Sequence, residues 1–529
     1  MVIQLFVRLS SFVCIFALIS GCNQLKPSIE PENAYTAPSL LVESAHPIND
    51  HTSQKSKIAN EPEDLWQRIR NQYQLDNELN NPRIEAQLNW YKSHQGYLNR
   101  VGMRGERYLY FIMEQIDVRD MPGEIALLPI VESAFDPFAY SHGRASGVWQ
   151  FIPSTGRIYG LQQDWWYDGR RDIRRSTIAA LKFLKGLSRE FKGDWMLALA
   201  AYNSGAGTVR KAIRKNKRKG LPTDFWSLAL PRETRDYVPK LIALARLVQS
   251  PEKYGVTLPF IENKPYFSVV STGSQMDLSQ AAAMANVDLE EIYKLNPQYN
   301  QWATSPNGPH EILVPVENKD IIQQKLVEVP AGQRIKWKRY KVERGDSLIS
   351  IAKKFHTTPD ALKQVNPIQG NLLQIGDMLL IPTAFQHLSN YAYTAKNRKS
   401  KKQSRAKGPK GSSKITHRIQ NGDSFWSLSQ QHKVSVNSIA RWNGMSPKDP
   451  LIPGQKLVIW SKGNTWGKQD REVIRKVRYR VRNGDSLHRI ASKFNVRIKD
   501  IRRWNQINNK KYLQPGDELI LYVDVTQAG

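Results

Sequence analysis

The chain has 529 residues, 40% of them hydrophobic and 24% charged, a composition of soluble globular domains long enough for three or four units. Its formal net charge of +29 favours anionic partners without choosing among nucleic acid, lipid headgroups and an acidic surface polymer. Cys14 and Cys22 are the whole cysteine content. If the chain is cleaved before Cys22, an internal disulfide, a later thiolate nucleophile and a cysteine-type zinc site are all excluded.

Arg8 precedes the apolar stretch Phe12 to Ile19, which ends in Leu18-Ile19-Ser20-Gly21-Cys22. A charged start, a short apolar run and small residues at its end predict an export signal over 1–21. The run is too short for a standard spanning helix, although a short anchor is an alternative reading. The pentapeptide resembles a bacterial lipobox, which implies lipidation of Cys22. Asn23 stands where an aspartate would favour inner-membrane retention, so the resemblance implies an outer-membrane lipoprotein facing the periplasm. Residues 22–60 are rich in Pro, Ser, Asn and charge and read as a tether.

From residue 61 to 258 a helical texture prevails. Tyr108, Phe111, Ile112 and Ile116 fall on one helix face, and helical signals continue over Ile178–Phe191, Trp195–Tyr202 and Tyr237–Val248. Asp194 is placed as the cap of the helix at Trp195. Pro231 and the Arg-Glu-Thr stretch after it read as a break before Tyr237.

Within this domain Glu132 follows the apolar run Leu127-Leu128-Pro129-Ile130-Val131 and precedes Ser133-Ala134-Phe135-Asp136-Pro137. Leu127, Leu128, Ile130, Val131 and Phe135 offer an apolar setting that raises a carboxyl pKa, as a general acid near neutral pH requires. The plain alternative is a glutamate that caps or pairs at a helix end. Acid-base work is often divided between two carboxylates. Asp136, four residues on, is the nearest second acid, but Pro137 tends to end the helix there, which favours a loop-organising role. His142 reads as a subsite residue or a solvent-facing loop residue. No cluster of His with Asp or Glu suggests a metal, and no cofactor is expected.

Beyond residue 260 the chain repeats itself. Gly345-Asp346-Ser347, Gly422-Asp423-Ser424 and Gly484-Asp485-Ser486 are followed by Asn366, Asn443 and Asn505, then by Gly376, Gly454 and Gly516. Each copy ends in a β-like run. The order predicts strand, Gly-Asp turn, helix, short second helix, Gly turn, strand: a βααβ unit with Asp346, Asp423 and Asp485 placed as caps of the first helix. The asparagines read as turn formers, and Trp442 and Trp504 as core. The copies span 339–383, 415–460 and 477–522. A degenerate copy over 265–317 keeps Leu278 and Asn296 but has Gln275-Met276 in place of Gly-Asp, and the same fold is expected there, fused to the helical domain. Residues 394–414, dense in Lys and Arg, read as a flexible basic linker, and Ser461–Lys468 as a shorter spacer.

The repeats resemble LysM modules, which implies binding to polymers containing N-acetylglucosamine. Residues 121–245 resemble the catalytic domain of lytic transglycosylases of the soluble type, related in fold to goose-type lysozyme. Lipobox, catalytic domain and repeats together resemble the membrane-bound lytic murein transglycosylases. The implied fold class is multidomain α+β: a mostly helical lysozyme-like domain followed by small βααβ modules.

By that resemblance Glu132-Ser133 carries the catalytic glutamate. Ser141, Gln150 in Ala145-Ser146-Gly147-Val148-Trp149-Gln150, Tyr202-Asn203, and Tyr237 are the substrate-binding elements. Tyr237 would orient Glu132, Tyr202 would lie beneath the sugar or support Asn203, and Trp149 departs from the family pattern in a way that could alter the groove floor. Asn203 has a second reading as a helix C-cap before Gly205. The implied reaction cleaves the MurNAc-GlcNAc bond of peptidoglycan without water, leaving 1,6-anhydro ends. A lysozyme-like hydrolase and a non-catalytic wall-binding scaffold are the competing readings. The expected partners are peptidoglycan strands and a lipid surface, not nucleic acid. Protein partners are not legible.

Overall fold

Asp194 accepts a hydrogen bond from the Leu197 amide at 2.9 Å and so starts a helix over Trp195–Ser204, as its sequence position predicts. The same logic recurs through the helical domain, seen here in a computed structural model that describes residues 62–368, 370–462, 474–494, 496–507 and 513–524. The export signal, Cys22, the tether and nearly all of the Ser461–Lys468 spacer lie outside the described residues.

Ten α-helices build this part: α1 (Leu65–Arg70), α2 (Pro82–Lys92), α3 (Gln95–Gly105), α4 (Leu109–Asp117), α5 (Leu128–Ser133), α6 (Pro153–Ile158), α7 (Ile173–Glu190), α8 (Trp195–Ser204), α9 (Ala206–Lys217) and α10 (Arg232–Gln249). Pro82 and Pro153 stand in the first turn of their helices, where no intrahelical N–H is needed. α10 begins at Arg232, so the Arg-Glu-Thr stretch is its first turn and not a break before Tyr237. Pro231 supplies the boundary, because its fixed φ leads into the helix without occupying it. α10 is enclosed on all sides from Leu241 to Val248, and Tyr237, Leu241, Ile242, Leu244 and Val248 share a single core with Leu127, Leu128 and Ile130.

Each repeat forms a two-stranded antiparallel sheet. β1 (Phe267–Ser271) pairs with β2 (Glu311–Pro315), with α11 (Leu278–Ala285) and α12 (Leu289–Leu295) between them; α13 (Lys319–Glu328) follows. β3 (Lys336–Lys341) pairs with β4 (Met378–Thr383) around α14 (Leu348–Phe355) and α15 (Pro359–Val365). After α16 (Ala395–Arg405), β5 (Ser413–Arg418) pairs with β6 (Lys456–Ser461), with α17 (Phe425–His432) and α18 (Val436–Trp442) in between. β7 (Ile474–Arg480) pairs with β8 (Glu518–Asp524) around α19 (Leu487–Phe494) and α20 (Ile498–Trp504).

The chain divides into two compact units, one of described residues through Ala406 with Val436–Ile452, the other of Lys407–Ser435 with the described residues from Pro453 onward.

The repeat asparagines are locks. Asn366 Nδ2 donates to the Leu362 and Leu380 carbonyls at 2.8 and 2.9 Å, and its Oδ1 accepts from the Leu380 amide at 2.7 Å. One side chain thereby joins the end of the second helix to the last strand. Asn296 and Asn505 make the same three bonds. Asn443 is fully buried and donates to the Ile439 carbonyl at 2.8 Å.

The Gly-Asp aspartates do not cap the first helix. The caps are one residue later: Ser347 and Ser424 form capping boxes with Ser350 and Ser427. Asp346 instead closes the turn, accepting from the Glu343 amide at 2.9 Å and from the Tyr340 hydroxyl at 2.8 Å. Asp423 and Asp485 do the same with Gln420 and His417, and with Arg482 and Tyr479. These bonds, that to the backbone amide foremost, hold all three carboxyls below the ordinary aspartate range.

The basic stretch is not a flexible linker over its first half, since Ala395–Arg405 is helical. Thr394 caps it, and its Lys, Arg and Gln content suits a helix. Arg398 fastens it, its guanidinium lying 4.7 Å from the centre of the Phe138 ring.

Replacing Asn366 with alanine removes a lock and leaves the partly buried backbone groups of Leu380 without it. The module should lose about 2–3 kcal/mol. Hydrogen exchange of the β4 amides tests this, and protection unchanged from wild type would contradict the lock.

Candidate active site

Glu132 occupies the last turn of α5, whose buried residues Leu128, Pro129 and Ile130 fix the helix in the core. The helix stops at Ser133 because Ala134 and Phe135 take left-handed φ values of 52° and 53°. That turn is costly for residues with a Cβ. It is held by burial of Phe135, whose ring lies close under Gly105 of α3, and by Ser133. The Ser133 hydroxyl lies 3.0 Å from both the Pro129 and Val148 carbonyls and so ties α5 to the segment 145–151.

Tyr237 projects from α10 and donates its hydroxyl to Glu132 Oε1. Glu132 is half-buried, and the surrounding protein removes enough water to push it up to about 7. Desolvation is the main cause; the Tyr237 bond opposes it, Glu233 adds to it and Lys240 opposes it. Burial pushes the Tyr237 and Tyr202 hydroxyls well above the ordinary tyrosine range, with the Glu132 charge as the next cause in both. Both therefore remain hydrogen-bond donors at neutral pH.

The other sequence-predicted residues are engaged in unequal ways. Tyr202 donates to the Trp149 carbonyl at 2.8 Å, so its hydroxyl supports the backbone of the Gly-Val-Trp-Gln element and not Asn203. Asn203 lies inside the last turn of α8 and is not its cap, which is Gly205. Its Oδ1 accepts from Thr234 at 2.8 Å, which fixes the amide between α8 and α10. Gln150 sits at φ 50° with Nε2 donating to the Gly147 carbonyl at 2.7 Å, so part of its amide closes its own turn. Ser141 accepts from the Ala145 amide at 3.0 Å and shapes the loop; it makes no hydrogen bond to Glu132. His142 is exposed, and its carbonyl accepts from Ser446. Asp136 lies beyond the end of α5 and accepts from the Phe138 amide at 3.0 Å, the loop-organising role.

Trp149 does not line the groove floor. It is fully buried, and its indole donates to Thr177 at 2.9 Å. The left-handed turns at Gly147 and Gln150 direct the ring inward. Gly147 admits no side chain, since a Cβ there would lie 2.2 Å from the Arg170 carbonyl.

Sequence reasoning missed what holds the segment 139–151. Arg170 grips Asp168 through two bonds of 2.9 and 2.8 Å and donates to the Arg144 carbonyl at 2.6 Å. Arg171 donates to Ser146 Oγ and to Asn300 Oδ1, both at 2.9 Å. The signal was present in Trp165-Trp166-Tyr167-Asp168-Gly169-Arg170-Arg171-Asp172, where charges crowd an aromatic run and so must be buried in pairs.

Asn300 belongs to the degenerate repeat, which is built into this domain. Trp166 and Tyr167 share a core with Val270, Met276 and Tyr299. Arg107 pairs with Glu291 through bonds of 2.8 and 2.7 Å, and Tyr108 donates to the Lys294 carbonyl at 2.7 Å.

Glu132 carries one further expectation. Its carboxyl holds a proton in the folded chain between the ordinary carboxylate range and about pH 7, where the unfolded chain has released it. Stability therefore falls as pH rises through that window and is level above it. Glu132→Gln removes the penalty. Its melting free energy should match wild type near pH ~4 and exceed it above pH ~7 by on the order of 2 kcal/mol. Melting curves across pH test this; an advantage equal at both ends would refute the buried-acid assignment.

Residues 110–224 match the family described as Transglycosylase SLT domain. Residues 266–331 match Lytic transglycosylase MltD, LysM-like domain, and 340–382, 417–460 and 479–521 match LysM domain. The chain is 38% identical over 413 residues to "Membrane-bound lytic murein transglycosylase D" of Escherichia coli strain K12, covering 76% of this chain and 86% of that protein. The protein of the same name from Escherichia coli O6:H1 matches equally. A solved structure of an inactive mutant of the lytic transglycosylase Slt from Pseudomonas aeruginosa aligns with 28% of this chain and 24% of that chain at 24% identity, with a TM-score of 0.23. With a helical SLT catalytic domain followed by LysM modules, this chain belongs to the family of membrane-bound lytic murein transglycosylase D, the peptidoglycan lytic transglycosylases.

Proposed function

We propose that Glu132 is the single acid-base residue of the reaction, and that it acts twice. It first protonates the glycosidic oxygen leaving MurNAc C1, so that the C1–O bond to GlcNAc breaks and the proton stays on the leaving sugar. The substrate's own N-acetyl oxygen can stabilise the cationic carbon. The resulting carboxylate then takes the proton from the MurNAc C6 hydroxyl as that oxygen bonds to C1. A 1,6-anhydro ring closes, no water is consumed, and Glu132 regains its proton.

The observation that carries this reading is a desolvated carboxyl with a pKa of about 7 held by the Tyr237 donor. Such a group is available in both states at neutral pH, which a residue that gives and then retakes a proton requires. Asp136 is engaged in its own loop, and the buried Glu124 is held by the Gln74 and Leu75 amides and by Asn77, so neither competes for the role. Asn203 and Gln150 supply amide groups suited to acetamido or hydroxyl groups of a sugar, with Ser141 beside them in the loop and Tyr202 behind.

Glu132→Gln should lower turnover of purified sacculi by about 10³-fold. Product masses for the wild type should lack one water relative to hydrolysis products. Undiminished cleavage by the variant would remove the enzymatic role of Glu132, and hydrated ends would convert the assignment to a hydrolase.

We further propose that Cys22 is lipidated and that the chain is an outer-membrane lipoprotein facing the periplasm. The signal-like sequence and the membrane-bound name of the E. coli relative support this. Among the described residues no helix is long and apolar enough to cross a membrane. Cys22→Ala should move the protein to the soluble fraction after lysis; retention in the membrane fraction would count against the anchor.

A further inference from the structure

The loop that carries Ser141 has a second face, turned away from its buried supports. There Tyr140 donates to Asp449 at 2.7 Å, and the Arg144 Nε lies 3.1 Å from the same carboxylate as an ion pair. Ser446, buried, donates to the His142 carbonyl. Gln403 of α16 donates to Asn443 at 2.8 Å. These contacts seat the segment after α18, from the second LysM module, on the catalytic loop, and all of them fall in one compact unit.

At this seat a cavity of about 410 Å³ opens between the loop, α6 and the LysM segment. Arg144, Arg157 and Lys448 line it together with Ser154, Gln162 and Gln163, and no acidic residue is among its lining. Asp449 answers only one of the three cations, since its carboxylate faces Tyr140 and Arg144. Arg157 and Lys448 are exposed, and among the described residues neither makes an ion pair. The site thus offers unbalanced positive charge, two amides and a hydroxyl, which suits a carboxylate on a polar, peptide-like ligand and not an uncharged sugar.

We propose that this cavity binds the acidic peptide of the wall polymer, engaging a stem-peptide carboxylate while the sugars of the same strand occupy the groove at Glu132. The inference rests on the glycan-cleaving reading and adds the substrate feature that reading leaves open. One loop serves both sites. Gln150 and Ser141 belong to its groove elements, and Arg144 to the cavity. The segment Val436–Ile452 supplies Lys448, so this piece of the second repeat takes part in reading the peptide.

The test uses the full chain and two substrates: glycan strands bearing their peptides, and the same strands after enzymatic removal of the peptides. Wild type should show a lower KM for the peptide-bearing strands, and raised salt should erase the difference. The double variant Arg157→Ala, Lys448→Ala should raise KM on peptide-bearing strands about fivefold with kcat unchanged, and leave peptide-free strands unaffected. Lys448→Arg should retain the wild-type preference. Both changed residues are exposed, and an unchanged melting temperature verifies that the fold persists. Equal KM changes on the two substrates, or no change on either, overturn the proposal. A wild-type chain that cuts neither substrate is a separate outcome and removes the glycan-cleaving reading itself.

Discussion

The buried grip of Arg170 on Asp168 is the interaction on which the active region depends. An ion pair taken out of water survives only when nearly every donor and acceptor is used. Here Arg170 spends its remaining hydrogens on backbone carbonyls of the catalytic loop, and Arg171 reaches Ser146 on one side and Asn300 on the other. Burial is the largest influence on the Asp168 carboxyl and acts upward, but the facing arginines outweigh it and hold the group below the ordinary aspartate range. The loop tolerates left-handed backbone at Arg144 and Gln150 because this network and the Ser133 bonds fix both ends.

Much of the site was legible in the sequence because its chemistry is carried by local patterns. An apolar run before Glu132 announces desolvation, and the caps and face periodicities of the helices announce the scaffold. The Glu132–Tyr237 bond spans 105 residues, and it was expected only through resemblance to a family, not from spacing. What spacing could not reach was direction. Trp149 looked like a groove residue until two left-handed turns set it facing the core. The Gly-Asp aspartates were off by one residue because a turn-closing acid and an N-cap sit side by side and use the same acceptor chemistry. The basic stretch misled for a different reason. Its charge density suggests an unfolded linker, but a capping threonine, an arginine placed over Phe138, and the bonds of Asn397 and Gln403 to neighbouring segments order a helix.

The modules have no disulfides to hold them. Each is small enough that its apolar core is limited, and the asparagine lock compensates by joining helix and strand through backbone groups that would otherwise be buried unpaired. The lock survives in the degenerate copy, where the Gly-Asp turn is gone, so it belongs to the fold of the unit and not to whatever that turn recognises.

The cores of the repeats are not equally private. The degenerate copy shares its core with Trp166 and Tyr167 of the catalytic domain, and the first LysM module contributes Ala361 to that same cluster. The third module keeps a core made solely of its own residues, from Val477 to Leu521. Among the described residues the third module's core draws on no other segment, whereas a cut just after residue 258 would strip the backing from Trp166, Tyr167 and Arg171. The innermost copy is therefore a structural part of the catalytic domain, whether or not it touches a sugar.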